Sequence, residues 1–155
     1  MKFILLLFFI GLSITYPYDP QKAILYARTY CNSTRYRDYD YDYNQEGEDV
    51  SFVSKCLLYG GLSFTGCDGL NYKGLFNKVS DLRKCLESRG WRFTGEQTYA
   101  FKAGYPLIID NVNIALATQV EMYNVSYCAH SEDRCDYPYD IKHLNRYLFY
   151  YPQNY

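Results

Sequence analysis

Along the 155 residues, the apolar positions fall into three successive patterns. The first is a continuous run, Phe3 to Leu12, behind Lys2. It has the length of the apolar segment of a secretory leader and falls short of the roughly 20 residues that span a bilayer. Ser13 and Thr15 are small enough for a cleavage site. The stretch therefore predicts a signal peptide over 1–16, a mature start near Tyr16 to Tyr18, and a single domain over 17–155.

The second pattern has helical spacing. Asp19-Pro20 is a helix start, since Asp can cap and Pro fits the first turn. Ala23, Tyr26, Ala27 and Tyr30 then recur at helical intervals as far as about Asn32. A second helix is predicted from Asp49 to Tyr59, with Phe52, Val53, Cys56 and Leu57 inward and Gly60-Gly61 as its stop. A third is predicted after a Ser80 cap, with Leu82, Cys85 and Leu86 inward and Gly90 as its end. Between the first two lies RYRDYDYDYNQEGED. Its alternation suits a strand, but aspartate is depleted in strands, so an exposed acidic loop is expected, with a cation site as the sharper alternative.

The third pattern is strand-like. Tyr105 to Ile109, Asn113 to Val120, Val125 to Ala129 and Tyr147 to Tyr151 are rich in β-branched and aromatic residues. Three helices followed by several strands predict an α+β domain, with N-terminal helices packed on a small antiparallel sheet. No internal repeat is present.

Composition narrows the function classes. The formal net charge of -1 offers no basis for a nucleic-acid partner, and no membrane contact is expected after signal cleavage. Twenty tyrosines against one tryptophan suit a small domain with half-wet surface, or a face for carbohydrate or peptide. The six cysteines, Cys31, Cys56, Cys67, Cys85, Cys128 and Cys135, all follow the leader and contain no CxxC pair. They predict up to three disulfides rather than a zinc site, with connectivity open. Asn32 and Asn124 head glycosylation sequons, consistent with a secretory route. The only other histidine besides His130 is His143, read as a surface residue. Ser51 and Ser54 lack a nucleophile-elbow context, and Asp49 with His130 is too small a set for a metal. No cofactor is called for. Trp91 is read as a core or cleft-edge aromatic.

The order of short motifs carries a resemblance. YDPQKAILYARTYCN is followed by EDVSFVSKCLLYGG (Glu48 to Gly61), NIALAT (Asn113 to Thr118) and AHSEDR (Ala129 to Arg134). This series resembles the putative amidase domain family, a branch of the papain-like cysteine hydrolases related to bacterial cell-wall endopeptidases. Members carry a DCTNFVSQxLxxGG motif, then a segment like HVAIVT and one like AHTxDR. The resemblance implies a papain-like fold and hydrolysis of amide bonds in peptides or cell-wall peptides. The nucleophilic cysteine would stand at the first turn of the motif helix, where the helix dipole lowers thiol pKa. A histidine on a facing strand would take the proton, and a third polar residue would orient it.

Carried over residue by residue, the nucleophile's place is Asp49. The base's place is Asn113, or Asn111 under a shifted register, and the orienting place is His130. Asparagine cannot take up a proton at neutral pH. Cys56 lies seven residues beyond Asp49 on the same helix face, ~10 Å deeper, which implies the core or a disulfide. Cys67 and Cys128 are placed near the site but are expected to be paired. Cys128 and Cys135 bracket His130 and are in position to close a short loop. Three functions remain in view: a catalytically silent amidase domain that binds a peptide or cell-wall-like ligand, an amide hydrolase with an unrecognised nucleophile, and a structural disulfide-bonded glycoprotein.

Overall fold

The computed structural model describes residues 18–32, 47–96, 99–109, 113–122, 124–130, 133–140 and 146–150. The predicted signal peptide, the tyrosine–aspartate stretch up to residue 46, Asn111 and His143 lie outside the described residues. Among those described, three helices precede all six strands of one sheet, so the expected α+β class holds.

Helix α1 runs from Pro20 to Tyr30, and the Asp19 side chain accepts from the backbone N–H groups of Gln21 and Lys22. Such a cap stabilises a helix by about 1 kcal/mol. Ala23, Ile24 and Ala27 are its buried residues. Tyr26 and Tyr30 are only partly buried and meet at its flank, with ring centroids 4.5 Å apart and planes tilted by 38°. Small alanines thus allow α1 to lie close to helix α2, Glu48–Tyr59. In α2 the expected stripe of Phe52, Val53, Cys56 and Leu57 is fully inside. Helix α3, Val79–Ser88, buries Leu82, Cys85 and Leu86, as expected. Its start differs from expectation: Lys78 occupies the cap position, no side chain caps the helix, and Ser80 falls inside.

The strands are β1 Arg92–Thr94, β2 Pro106–Ile109, β3 Asn113–Glu121, β4 Asn124–Ala129, β5 Arg134–Asp140 and β6 Arg146–Tyr150. Their order is β1-β6-β2-β3-β4-β5, and every pairing is antiparallel. The last strand in sequence therefore inserts between the first two. Strands β1 and β5 are absent from the sequence expectation. β1 has three residues, too few for a periodic signal. β5 reads RCDYPYD, and its aspartates and proline disfavour a strand interior. As an edge strand it tolerates Pro138, because no further strand lies on its outer side to need an N–H donor. Against the sheet, helix α2 packs mainly on β3, and its core joins Leu107, Ile114, Leu116, Cys128, Leu148 and Phe149. Fully burying a leucine, isoleucine or phenylalanine side chain contributes about 1.5–3 kcal/mol.

Two disulfides form, Cys31–Cys135 and Cys67–Cys85. The first joins the C-terminal cap of α1 to β5 across 104 residues of sequence. The second ties the loop after α2 to α3. This corrects the sequence expectation in two respects. Cys128 does not close a loop with Cys135, and it is a buried free thiol rather than paired; Cys56, also free, lies in the core, one of the two places expected for it. The reason is geometric: β4 and β5 are hydrogen-bonded neighbours, but Cys135 turns outward to α1 while Cys128 sits in the core. Trp91 resolves as core, meeting Tyr18 and Tyr105 edge-on at 5.5 and 4.9 Å.

Candidate functional site

The start of α2 is set by Gly47. It takes φ +106°, a region L-residues rarely adopt, and a Cβ there would fall 2.5 Å from the backbone oxygen of Asn77. The chain can enter the helix at this point only if residue 47 lacks a side chain. The first turn then presents Glu48 and Asp49, two acidic residues where the N-terminal dipole favours negative charge.

Asp49 is 7% exposed, although it is a carboxylate at a helix end. Its Oδ1 accepts the backbone N–H of His130 at 2.9 Å. His130 follows β4 and opens the turn to β5, and its carbonyl accepts the N–H of Asp133 at 3.3 Å. The ring of His130 lies flat on Phe52, with centroids 5.1 Å apart and planes 10° from parallel. Its Nδ1 lies 2.9 Å from Oε1 of Glu48, and both side chains are close to nine-tenths buried. In the neutral ring a proton on Nδ1 leaves Nε2 as the basic nitrogen. That nitrogen is buried, so it presents no open face to a substrate.

The antiparallel register brings the third position to the same end. Leu116 of β3 pairs with Cys128 of β4. The start of β3 therefore lies at the same end of the sheet as the end of β4, Ala129. On its other side, Asn113 pairs with Ile109. Thus Asp49 and His130 are in direct contact, and the backbone of Asn113 begins β3 at that end of the sheet. Asn32 and Asn124 are both exposed, the first just past α1 and the second at the start of β4.

Cys56 and Cys128 are buried in the core, and Cys67 is bonded. Cys56 is fully buried, and burial first, then the neighbouring Cys128, push its thiol well above the ordinary range. Burial likewise pushes the Cys128 thiol up to about 11, and its sulfur accepts the N–H of Asp136 at 3.4 Å. A thiol held protonated inside a core is neither the attacking species nor within reach of a substrate. Cys67 is spent in its disulfide with Cys85.

Glu48 is the residue that sequence reasoning passed over. Its signal was its place immediately before Asp49, on the turn that must face the sheet. Among the described residues, no three His, Cys, Asp or Glu side chains converge as a metal site. A hollow of about 370 Å³ is lined by Glu87, Gly90, Trp91, Arg92 and Phe93, and shares no residue with the Asp49–His130 cluster. No helix among the described residues is long and apolar enough to cross a membrane.

Compared with known families, residues 17–106 match the family model described as a putative amidase domain. The match takes in all three helices, β1 and the first residue of β2, and so includes Asp49 but ends before Asn113 and His130. No curated protein and no solved structure matches the chain.

Proposed function

The chain belongs to the putative amidase domain family, and from that premise we propose that it is a secreted, catalytically silent amidase domain whose former cleft serves peptide or cell-wall-peptide recognition. The observation that carries this reading is the hydrogen bond from the His130 N–H to the Asp49 carboxylate. At the position where the resemblance expects a thiolate stands a carboxylate already engaged by the opposing strand. An attacking thiolate has to be free to reach a carbonyl carbon. Asp49 instead fastens α2 to the end of β4 and works as a structural tie.

The surrounding residues support the same reading. Glu48 holds the ring of His130, the residue at the orienting place, through its Nδ1. An oriented imidazole without a nucleophile leaves acyl transfer without its covalent step, and parts that act as a unit are not rescued by one survivor. Asn113, at the base's place, has no proton to exchange at neutral pH. The papain-like assignment, with Asp49, Asn113 and His130 as a degenerate triad, belongs to this proposal. So do the leader over 1–16 and glycans on Asn32 and Asn124. The disulfides Cys31–Cys135 and Cys67–Cys85 support export to an oxidising compartment.

The test is hydrolysis of a panel of peptide amides and cell-wall peptides by the purified mature protein. No turnover is expected, with or without iodoacetamide, together with saturable binding of a peptide from that panel by calorimetry. Turnover that is abolished by iodoacetamide and lost on His130→Ala would show that a cysteine is the nucleophile and overturn the silent reading.

A further inference from the structure

Two groups in the core have no part in the site as described: the thiols of Cys56 and Cys128. Both are fully buried, and both belong to the one hydrophobic core cluster. Cys56 is on the inward face of α2, seven residues on from Asp49, and Cys128 is on β4, two residues before His130. Helix α2 packs on β4 as well as β3. We propose that Cys56 and Cys128 are a third crosslinking pair, which closes to a disulfide when the chain folds in an oxidising compartment and joins α2 to β4 directly behind the Asp49–His130 contact.

Three observations support this pairing over any other. The remaining four cysteines are already joined to one another, so each of these two has only the other as a partner within the chain. The two elements that carry them pack together in a common core. Cys128 also pairs across the sheet with Leu116 of β3, the strand on which α2 chiefly packs. The structure describes the reduced form of the pair.

The chemistry is thiol–disulfide exchange with an oxidised dithiol, either glutathione disulfide or a disulfide oxidoreductase. One cysteine thiolate attacks a sulfur of the oxidant to give a mixed disulfide and release one oxidant thiolate. The second cysteine thiolate then displaces the other. Two thiols lose two protons and two electrons, and the oxidant gains both. Attack needs a thiolate and access, and the closed core denies both. The bond must therefore form before α2 settles on the sheet, and oxidant supplied afterwards leaves the two thiols as they are.

The experiment counts thiols after unfolding, because native-state labelling cannot distinguish a buried thiol from a bonded one. Protein refolded from the reduced, unfolded state in a glutathione redox buffer is denatured without reductant in the presence of N-ethylmaleimide, then digested and mapped. Complete absence of label on Cys56 and Cys128, and a crosslinked peptide joining their two segments, is the expected result. Label on both residues, or a crosslink from either to another cysteine, overturns the proposal. Cys56→Ala treated in the same way should expose Cys128 as the single labelled thiol, with Cys31–Cys135 and Cys67–Cys85 retained. An unlabelled Cys128 in that variant would show that its partner lies elsewhere.

Discussion

Replacing Asp49 by alanine isolates what the carboxylate does. Asp49 is 7% exposed and accepts the His130 N–H at 2.9 Å. Truncation leaves that N–H inside a partly buried turn without this acceptor, which costs about 1–3 kcal/mol. Removing a negative charge from the first turn of α2 adds about 0.3–1 kcal/mol. The expected loss is therefore about 2–3 kcal/mol, with a fall in Tm of roughly 3–4 °C per kcal/mol for a domain of this size. Asp49→Asn keeps an oxygen acceptor in the same place and loses only the charge, so it should recover at least half of the stability. Urea unfolding of the two variants and the native protein gives both differences. Hydrogen exchange adds a local reading, because the His130 amide should lose protection in Asp49→Ala and keep most of it in Asp49→Asn. An alanine variant within about 0.5 kcal/mol of native, the level of an ordinary surface change, would refute the view that Asp49 is a tie between α2 and β4.

The two disulfides should differ in worth. In the chain-entropy account, opening the 104-residue link of Cys31–Cys135 costs about 4–5 kcal/mol and opening the 18-residue link of Cys67–Cys85 about 3 kcal/mol, so Cys31→Ser with Cys135→Ser should unfold at lower urea than Cys67→Ser with Cys85→Ser. Gly47→Ala should be more damaging than Gly66→Ala: both have positive φ, but a Cβ at 47 meets the Asn77 carbonyl at 2.5 Å while one at 66 meets nothing within 4 Å. Thermal unfolding should place Gly66→Ala about 1 kcal/mol below native, and Gly47→Ala at least twice that. Asp49→Cys alone should show no amide turnover, since nothing at 113 accepts the thiol proton. Asp49→Cys with Asn113→His is the variant in which a trace should appear, read as iodoacetamide-sensitive hydrolysis over the native background.

The helices were legible in the chain because their signals are local. The Asp19-Pro20 cap, the inward stripe from Phe52 to Leu57 and the trio Leu82, Cys85 and Leu86 each act within a few residues, and each is found where the pattern puts it. The apolar runs of β2, β3, β4 and β6 were legible for the same reason. The motif order pointed to Asp49 and His130 as partners, and the structure joins them. What the chain did not disclose depends on residues far apart in sequence. Strand β5 looks unlike a strand until the sheet offers it an edge, and β6 takes its place between β1 and β2 only once the sheet closes. Cys31 finds Cys135 rather than a nearer thiol because α1 crosses the start of β5, where Arg28 also pairs with Asp136 at 3.0 Å. Glu48 could have been any acidic first-turn residue until the β4–β5 turn brought the His130 ring against it. Local pattern determines which segments become helix or strand, because hydrogen bonding and amphipathic spacing operate over one or two turns. Only tertiary packing decided that Asp49 meets the end of β4, because burial and partners are properties of the elements that come together there.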